Sequence, residues 1–175
     1  MRKITMEDAM GEASAQLKEG AFLLAGGDVP NAMTIGWCQW GVVWKRPTCT
    51  VFVRKSRYTY DLMQSGLFTI SVPKEGTMKK ELAYCGTKSG RDVNKAQELG
   101  FTFTSLGDGL VPALSGCNIH FACKTLLHVD FETDKLQKDM MDEALLKHYY
   151  GANQKLGNGD PHTVFFGEII GAYRE

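Results

Sequence analysis

The sequence lacks several features that mark common classes of protein. Its five cysteines are odd in number and none stands in a Cys-x-x-Cys pair, so neither a disulfide framework nor a zinc site is expected. The phosphate-binding pattern GxxxxGK[ST] and the dinucleotide-binding pattern GxGxxG are both missing. A phosphate bound by this protein would therefore not belong to a Walker loop or a Rossmann-bound nucleotide.

Charge and hydropathy exclude further classes. The 20 basic residues balance 20 acidic residues, which disfavours a general nucleic-acid binder because such proteins usually carry a basic excess. No apolar run approaches the roughly 18 residues of a membrane-spanning helix. The stretch Met1–Asp8 turns acidic where a signal peptide would turn apolar. We expect one cytoplasmic domain over residues 1–175, with neither nucleic acid nor membrane as a partner.

What is present is an alternation of short strands and short helices without a βαβ rhythm. Strands are predicted over Ala21–Ala25, Ala32–Trp40, Thr48–Arg54, Leu67–Val72, Ile119–Phe131 and Thr163–Tyr173. Helices are predicted over Met6–Leu17, Tyr58–Gln64, Met78–Tyr84, Val93–Leu99 and Lys138–Tyr150. This order favours a mainly β fold with inserted helices, in which an antiparallel sheet closes into a barrel.

The clearest periodicity lies in Ile119–Phe131, where apolar residues dominate the odd positions. Period two predicts a long antiparallel strand with one buried and one solvated face. Cys117 and Cys123 share the apolar parity and should point inward. His120 and His128 share the polar parity and should be exposed. They would lie about 26 Å apart along one strand, too far to ligate one metal.

A candidate anion site lies in Phe52–Thr59, where an apolar run stops at three cations and three hydroxyls. The planar fork of arginine matches phosphate oxygens, and the hydroxyls of Ser56 and Thr59 add neutral hydrogen bonds. A predicted helix start at Tyr58 adds free backbone N–H groups. The same composition also suits an ordinary solvated turn that caps a helix.

A second loop of this kind, Cys85–Lys95, is rich in glycine, serine and cations and also precedes a predicted helix. Arg91 and Lys95 are four residues apart and are predicted to share one face of that helix. If the two loops converge, they would bind an anion of about two charges, such as a phosphate monoester. Otherwise they are two unrelated helix caps. Cys85 is either a packing residue or part of the function of this loop.

Two further segments are candidates for contact with a flat ligand. In Asn31–Trp37, small side chains and Gly36 let a ring approach the backbone, whose N–H groups could donate to a ring carbonyl or nitrogen. The tryptophans at positions 37, 40 and 44 either line such a site or belong to the core. His162, at the entry to the last strand, could donate to a ring, shuttle a proton or contact a substrate. It could equally be a strand-end histidine bonded to backbone.

An ordered set of motifs runs from roughly Gly20 to Gly171: Asn31–Trp37, Gly41–Trp44, Arg46-Pro47, Val51–Thr59, Phe68–Ser71, Cys85-Gly86, Ser89–Asp92, His162-Thr163 and Gly167-Glu168. Together this set resembles the flavin reductase-like family, and most closely its flavoredoxin-type branch. The sequence departs from the family pattern at Pro161, which separates Asp160 from His162. It departs again at Asn94 and Ala96, where an acid and an aromatic residue are expected.

The resemblance implies an antiparallel Greek-key split β-barrel that binds FMN, usually as a homodimer with FMN near the subunit interface. Asn31 to Ile35 would line the isoalloxazine, and the two cationic loops would hold the phosphate. The implied cofactor-binding set is Asn31, Ala32, Met33, Thr34, Ile35, Val53, Arg54, Ser56, Arg57, Tyr58, Thr59, Ser89, Arg91 and Lys95. His162 is the candidate catalytic residue, and no metal is implied.

The function implied is an FMN-dependent oxidoreductase. It would pass electrons from NADH, NADPH or a redox partner through FMN to free flavin, ferric iron or another acceptor. Two alternatives stay open: a flavoredoxin-like electron carrier without its own pyridine-nucleotide site, and a flavin-binding protein without turnover.

Overall fold

A computed structural model describes residues 1–132, 135, 142–150 and 160–175. The strands are β1 (Arg2–Lys3), β2 (Ala21–Ala25), β3 (Asn31–Ile35), β4 (Cys38–Val43), β5 (Arg46–Arg54), β6 (Leu67–Pro73), β7 (Phe103–Thr104), β8 (Ala113–Leu114), β9 (Cys117–Asp130) and β10 (His162–Arg174). The α-helices are α1 (Met6–Gln16), α2 (Tyr58–Leu62), α3 (Lys79–Thr87), α4 (Lys95–Leu99) and α5 (Glu143–Tyr150). The predicted helix Lys138–Tyr150 corresponds to α5, which begins at Glu143, one residue after Asp142; residues 138–141 lie outside the described residues.

The main sheet is antiparallel and runs in the order β3-β2-β6-β9-β10-β5-β4. The prediction of one strand over Ala32–Trp40 is wrong, because the chain leaves the sheet at Gly36-Trp37. β3 then pairs with β2, whereas β4 pairs with β5. The sheet path therefore ends at β3 and β4, and within the described residues these two ends are not hydrogen-bonded to each other. The barrel is split rather than closed, as the resemblance implied.

The inner face of the sheet encloses one main core. Phe68, Phe121 and Phe165 are each about 1% exposed or less, and they pack with the aliphatic residues of β2, β5 and β6. Helix α1 adds Ala9 and Ala13 to this core. Burying a phenylalanine side chain contributes roughly 1.5–3 kcal/mol, so this cluster is a principal source of stability. Among the described helices, none is long and apolar enough to cross a membrane.

The odd positions Ile119, Phe121 and Cys123 in the first half of β9 lie in the main core, but the predicted solvated face is absent there. Ile119 to Cys123 is buried on both faces, so the prediction that His120 is exposed is wrong. Its Nδ1 lies 3.0 Å from Ser71 Oγ, which also accepts a hydrogen bond from the Leu114 main-chain N–H. The segment around Leu114 covers this face, which strand parity alone could not show.

A β-bulge reverses the faces of the second half of β9. The pairing with β10 shifts register between Phe166 and Gly167. As a result Leu127 and Val129 are 43% and 45% exposed, although they share the odd parity of the buried residues. His128 is exposed as predicted, and its ring lies 5.4 Å from that of the buried Phe165. An inserted residue exchanges the two faces of a strand because side chains alternate.

Candidate functional site

The candidate site lies at the split in the barrel, where β3 passes close to β5. Most of the predicted site residues divide between two cavities there. The smaller, about 210 Å³, is lined by Met33, Thr34, Ile35, Gly36, Trp37, Phe52, Arg54, Arg57, Tyr149 and His162. The larger, about 550 Å³, is lined in part by Asn31, Tyr58, Gly90, Arg91 and Lys95.

The loop after β5 already holds an anionic group. Asp160, 4% exposed, accepts hydrogen bonds through both carboxylate oxygens from Ser56. The Ser56 main-chain N–H donates to Oδ1 at 3.3 Å, and its hydroxyl donates to Oδ2 at 2.6 Å. The Arg54 guanidinium donates to the main-chain oxygens of Asp160 at 2.6 Å and Tyr149 at 2.7 Å. Ser56 thus binds the carboxylate of Asp160, while Arg54 binds its main chain; we call Arg54 and Ser56 the anion cradle, which Asp160 occupies.

Two other predicted cations converge on one carbonyl group. Arg57 donates to Gly86 O at 2.9 Å and to Cys85 O at 3.1 Å. Lys95 Nζ, in a residue that is 4% exposed, donates to Ala32 O at 2.8 Å and Cys85 O at 3.3 Å. Burial lowers the pKa of both side chains. The charge of Arg54 lowers the pKa of Arg57 further, and the charge of Arg57 lowers that of Lys95. The acceptors Cys85 O and Gly86 O lie in the last turn of α3, where the helix dipole is negative.

The second cationic loop packs directly against the first. Arg91 donates to Ser56 O at 3.0 Å and pairs with Asp61 at 2.6 Å. A Cβ atom at Gly90 would come within 2.1 Å of the Asn31 side-chain oxygen, so only glycine permits this approach. The alternative of two unrelated helix caps is therefore wrong. The predicted shared helix face is also wrong, because Arg91 precedes the N-cap of α4, Asn94, and only Lys95 lies in the helix.

Asn31 and Thr59 join β3 to helix α2. The Asn31 side-chain amide donates to the Thr59 hydroxyl at 2.8 Å, and Thr59 is 1% exposed. Ser89 stabilises its own loop by accepting from the Arg91 main-chain N–H at 3.2 Å. Tyr58 lies under the Arg91 guanidinium, 5.4 Å from the ring centroid, in cation–π contact. These contacts fix the two loops and β3 relative to one another.

β3 is the edge of the sheet, so half of its main-chain groups point away from β2 toward the split. Lys95 uses one of these, the carbonyl of Ala32. The Thr34 hydroxyl donates to Leu82 O at 2.6 Å, and Met33 and Ile35 belong to the main core. The strand thus presents main-chain groups to the split; that they contact a flat ligand stays a prediction.

The smaller cavity is aromatic at the end that holds His162. The Trp37 ring lies 4.5 Å from the His162 ring and 4.9 Å from the Tyr149 ring. Phe52 closes this cluster, 5.9 Å from Trp37. Within the described residues His162 Nδ1 is buried without a hydrogen-bond partner. Burial and the nearby Arg54 lower the pKa of His162 to about 4, against a smaller opposing effect of Asp160. The imidazole is neutral at pH 7.

Two residues of interest belong to the core rather than to the cavities. Val53, predicted to contact the cofactor, is 0% exposed with its side chain in the main core; strand alternation turns it away from the side on which Arg54 and Phe52 lie. Cys85 packs with Phe22, Leu24 and Leu82, and burial raises the pKa of its thiol to about 11. A protonated, buried thiol favours the packing interpretation of Cys85.

Sequence reasoning missed the roles of Asp160 and Tyr149. In the sequence, Asp160 stands out only as the neighbour of His162, and Tyr149 only as part of a predicted helix. Antiparallel pairing places His162 opposite Arg54, which brings Asp160 to Ser56. An acidic residue just before a strand was the only available signal, because its partner lies 104 positions away in the chain.

Comparison with known proteins agrees with this architecture. A flavoredoxin from Methanosarcina acetivorans superposes with a TM-score of 0.64 at 26% identity, covering 89% of this chain and 68% of its own. An FMN-binding domain of a flavin reductases-like enzyme from Shewanella baltica gives 0.63 at 21%, covering 99% and 76%. An NADH:FAD oxidoreductase from Streptomyces globisporus gives 0.60 at 20%, covering 89% and 75%.

The mainly antiparallel split barrel, with its cationic loops at the gap, places the protein in the class of flavin reductase-like split barrels. At the sequence level, residues 15–175 match the family described as flavin reductase like domain, and the chain belongs to that family.

Proposed function

We propose that the protein binds FMN and acts as an oxidoreductase, passing electrons from NADH, NADPH or a redox partner to free flavin, ferric iron or another acceptor. The observation that carries this proposal is the anion cradle. Ser56 binds the Asp160 carboxylate and Arg54 binds the Asp160 main-chain oxygen, where the resemblance expects the cofactor phosphate. FMN would supply the hydride and one-electron chemistry.

The donor set of the cradle fits a phosphate monoester. The guanidinium of Arg54 offers two N–H groups that are bonded to main-chain carbonyls in this structure. Charge-assisted, two-pronged bonds from arginine to phosphate are stronger than such bonds to neutral carbonyls. The Ser56 hydroxyl and N–H complete the set. Arg91 donates a hydrogen bond to the main-chain carbonyl of Ser56.

The smaller cavity fits one end of a flat ring. Main-chain groups of β3 border it on one side, and Trp37, Phe52 and Tyr149 exclude water on another. His162 presents a neutral imidazole whose buried Nδ1 has no hydrogen-bond partner within the described part of the chain and could bond a ring atom. We infer that His162 positions the ring or holds a proton there.

The runner-up is a flavoredoxin-like carrier that lacks a pyridine-nucleotide site. The similarity to the Methanosarcina acetivorans flavoredoxin favours it. The size of the aromatic cavity also favours the carrier, because its volume of about 210 Å³ is below the roughly 300–1,000 Å³ of typical ligand pockets.

Spectroscopy under anaerobic conditions decides between these functions. Purified protein should show absorption bands near ~370 and ~450 nm, as oxidised flavin does. Bleaching of the bound flavin by NADH or NADPH within a turnover time supports the reductase. No bleaching by either nucleotide, together with fast reduction by a protein or chemical donor, supports the carrier. A flavin that neither route reduces leaves binding alone, and a protein that takes up no FMN contradicts all three.

We further propose that the protein is a homodimer. Leu127 and Val129 are exposed, and they pair with the half-buried Phe166 and Val164 of β10 on the outer face of the sheet. Phe52, opposite Val164, continues this apolar face to the aromatic cavity. A second copy of the chain would cover it beside the candidate site. The cytoplasmic location and the single-domain organisation stay predictions.

A further inference from the structure

Asp160 is held in the cradle by contacts to both of its charged oxygens and to its main chain. Ser56 binds the two carboxylate oxygens, and Arg54 binds the main-chain carbonyl. The residue is 4% exposed. Its φ of 53° lies in the left-handed region, which residues other than glycine adopt rarely and aspartate more readily than most. Pro161 follows and restricts the backbone further. These contacts stabilise Asp160 in a backbone conformation that is otherwise unfavourable.

The carboxylate and a cofactor phosphate would need the same donors. The Ser56 hydroxyl has one proton, which Asp160 Oδ2 accepts at 2.6 Å. Both N–H groups that Arg54 directs at this region are on main-chain oxygens, one of them that of Asp160. Two anions that share one buried site also repel each other strongly. A phosphate can therefore bind at Ser56 only after the carboxylate has left.

We propose that Asp160 is an internal competitor of the cofactor phosphate, and that it determines how strongly the protein prefers FMN to riboflavin. The inference rests on the proposed function, because it assumes that the cradle receives FMN. Riboflavin has no phosphate, so it leaves the contacts of Asp160 intact. FMN has to break them. Asp160 thus weakens the binding of FMN selectively and leaves that of riboflavin unchanged.

Binding titrations of the apoprotein test this role. Asp160→Asn keeps the size of the side chain and removes its charge. We expect the Kd for FMN to fall about tenfold, equivalent to 1.4 kcal/mol, with the Kd for riboflavin unchanged. Asp130→Asn is the matched control, because Asp130 pairs with Lys55 and Thr163, whereas the carboxylate bonded to Ser56 is that of Asp160. It alters the net charge equally and should leave both dissociation constants unchanged.

Two additional variants keep the test decisive. Asp160→Gly accepts the positive φ and should reproduce the tighter FMN binding if the asparagine variant folds poorly in a thermal melt. In a Ser56→Ala background, Asp160→Asn should tighten FMN binding much less, because the contested hydroxyl is gone.

The outcomes separate the two proposals. Weaker FMN binding in Asp160→Asn and Asp160→Gly, or equal changes for FMN and riboflavin, would overturn the role of Asp160 and leave the proposed function standing. A similar gain in Asp130→Asn would assign the effect to net charge and also overturn it. Failure of the wild type and of the Asp160 variants to bind FMN would overturn the proposed function itself.

Discussion

At the scale of single residues, the hydrogen-bond acceptors of each cation determine whether it is available to bind a phosphate. Arg54 and Arg57 are three positions apart in the chain, yet they serve different acceptors. Arg54 reaches the carbonyls next to the aromatic cavity. Arg57 is committed to the last turn of α3. Arg54 is therefore the cation best placed for a phosphate, whereas Arg57 and Lys95 also join α3 to the barrel.

Arg54→Ala should weaken the binding of FMN far more than that of riboflavin. A hydrogen bond from a charged group contributes roughly 1.5–3 kcal/mol, and only FMN has the phosphate to accept it. Titration of the apoprotein with both flavins measures the difference. Arg46→Ala is the control, because Arg46 pairs with Glu168 on the exposed part of β5. Equal losses for the two flavins would remove Arg54 from the phosphate site.

His120 should make the protein less stable as the pH falls. Burial lowers the pKa of His120 to about 4 in the folded state, against roughly 6.5 when unfolded. The unfolded chain therefore binds more protons between pH 6.5 and 4. The free energy of unfolding is highest above pH 6.5 and falls as the pH drops toward 4, by at most about 3 kcal/mol from this group.

Denaturant unfolding at pH 7.5, 6 and 5 checks this slope. His120→Gln should flatten it, with His128→Gln, at an exposed position, as the control. His162 contributes in the same direction, because its pKa is also lowered to about 4. An unchanged slope in His120→Gln would show that the buried imidazole does not titrate as described.

At the scale of elements, the two cationic loops are held together by close backbone approach. Gly90 lets the loop before α4 lie directly on Asn31 and Tyr58. Arg91 then reaches Ser56 across the junction. The loop geometry thus depends on the absence of a side chain at one position.

Gly90→Ala should displace this loop and weaken FMN binding. The added methyl group would lie 2.1 Å from Asn31 Oδ1 and 2.7 Å from Tyr58 Cδ1, so at least one neighbour must move. We expect a loss of about tenfold or more in FMN affinity, in the range of overpacking costs of about 1–3 kcal/mol. Gly27→Ala is the control, since a Cβ there meets no atom of the described residues within 4 Å. Equal FMN affinity in the two variants would contradict the close approach.

At the scale of the whole molecule, the bulge in β9 turns two aliphatic side chains outward. The alternation of apolar and polar residues continues through the bulge, so the odd positions change from the core face to the outer face. An apolar outer face beside a cavity is a feature of association surfaces. In a monomer both side chains would stay exposed to solvent, whereas a second copy would bury them.

Leu127→Lys combined with Val129→Lys should shift the protein from dimer to monomer. Lysine at the centre of an apolar contact leaves a charge buried without a partner. Sedimentation velocity at several protein concentrations measures the change. Lys124→Gln, on the exposed part of the same strand, is the control. A wild type that is monomeric at all concentrations would contradict the proposed dimer.

Most of the strands, the helix α1 and the positions of the two cationic loops could be predicted from the sequence. Each depends on local signals: period-two alternation, glycine and proline at ends, and clustered cations after an apolar run. The strand predicted at Ala21–Ala25 has those bounds in the structure. The family could be predicted as well, because the order of the motifs is read directly from the sequence.

Only the tertiary structure decided which groups those residues meet. Strand register brought Asp160 to Ser56, the bulge exposed Leu127, and the segment around Leu114 buried His120. These contacts join positions far apart in the chain, and a one-residue shift in pairing changes all of them. Local sequence thus determined the elements and the cationic loops. Long-range pairing decided that a carboxylate of the protein itself, that of Asp160, occupies the anion cradle.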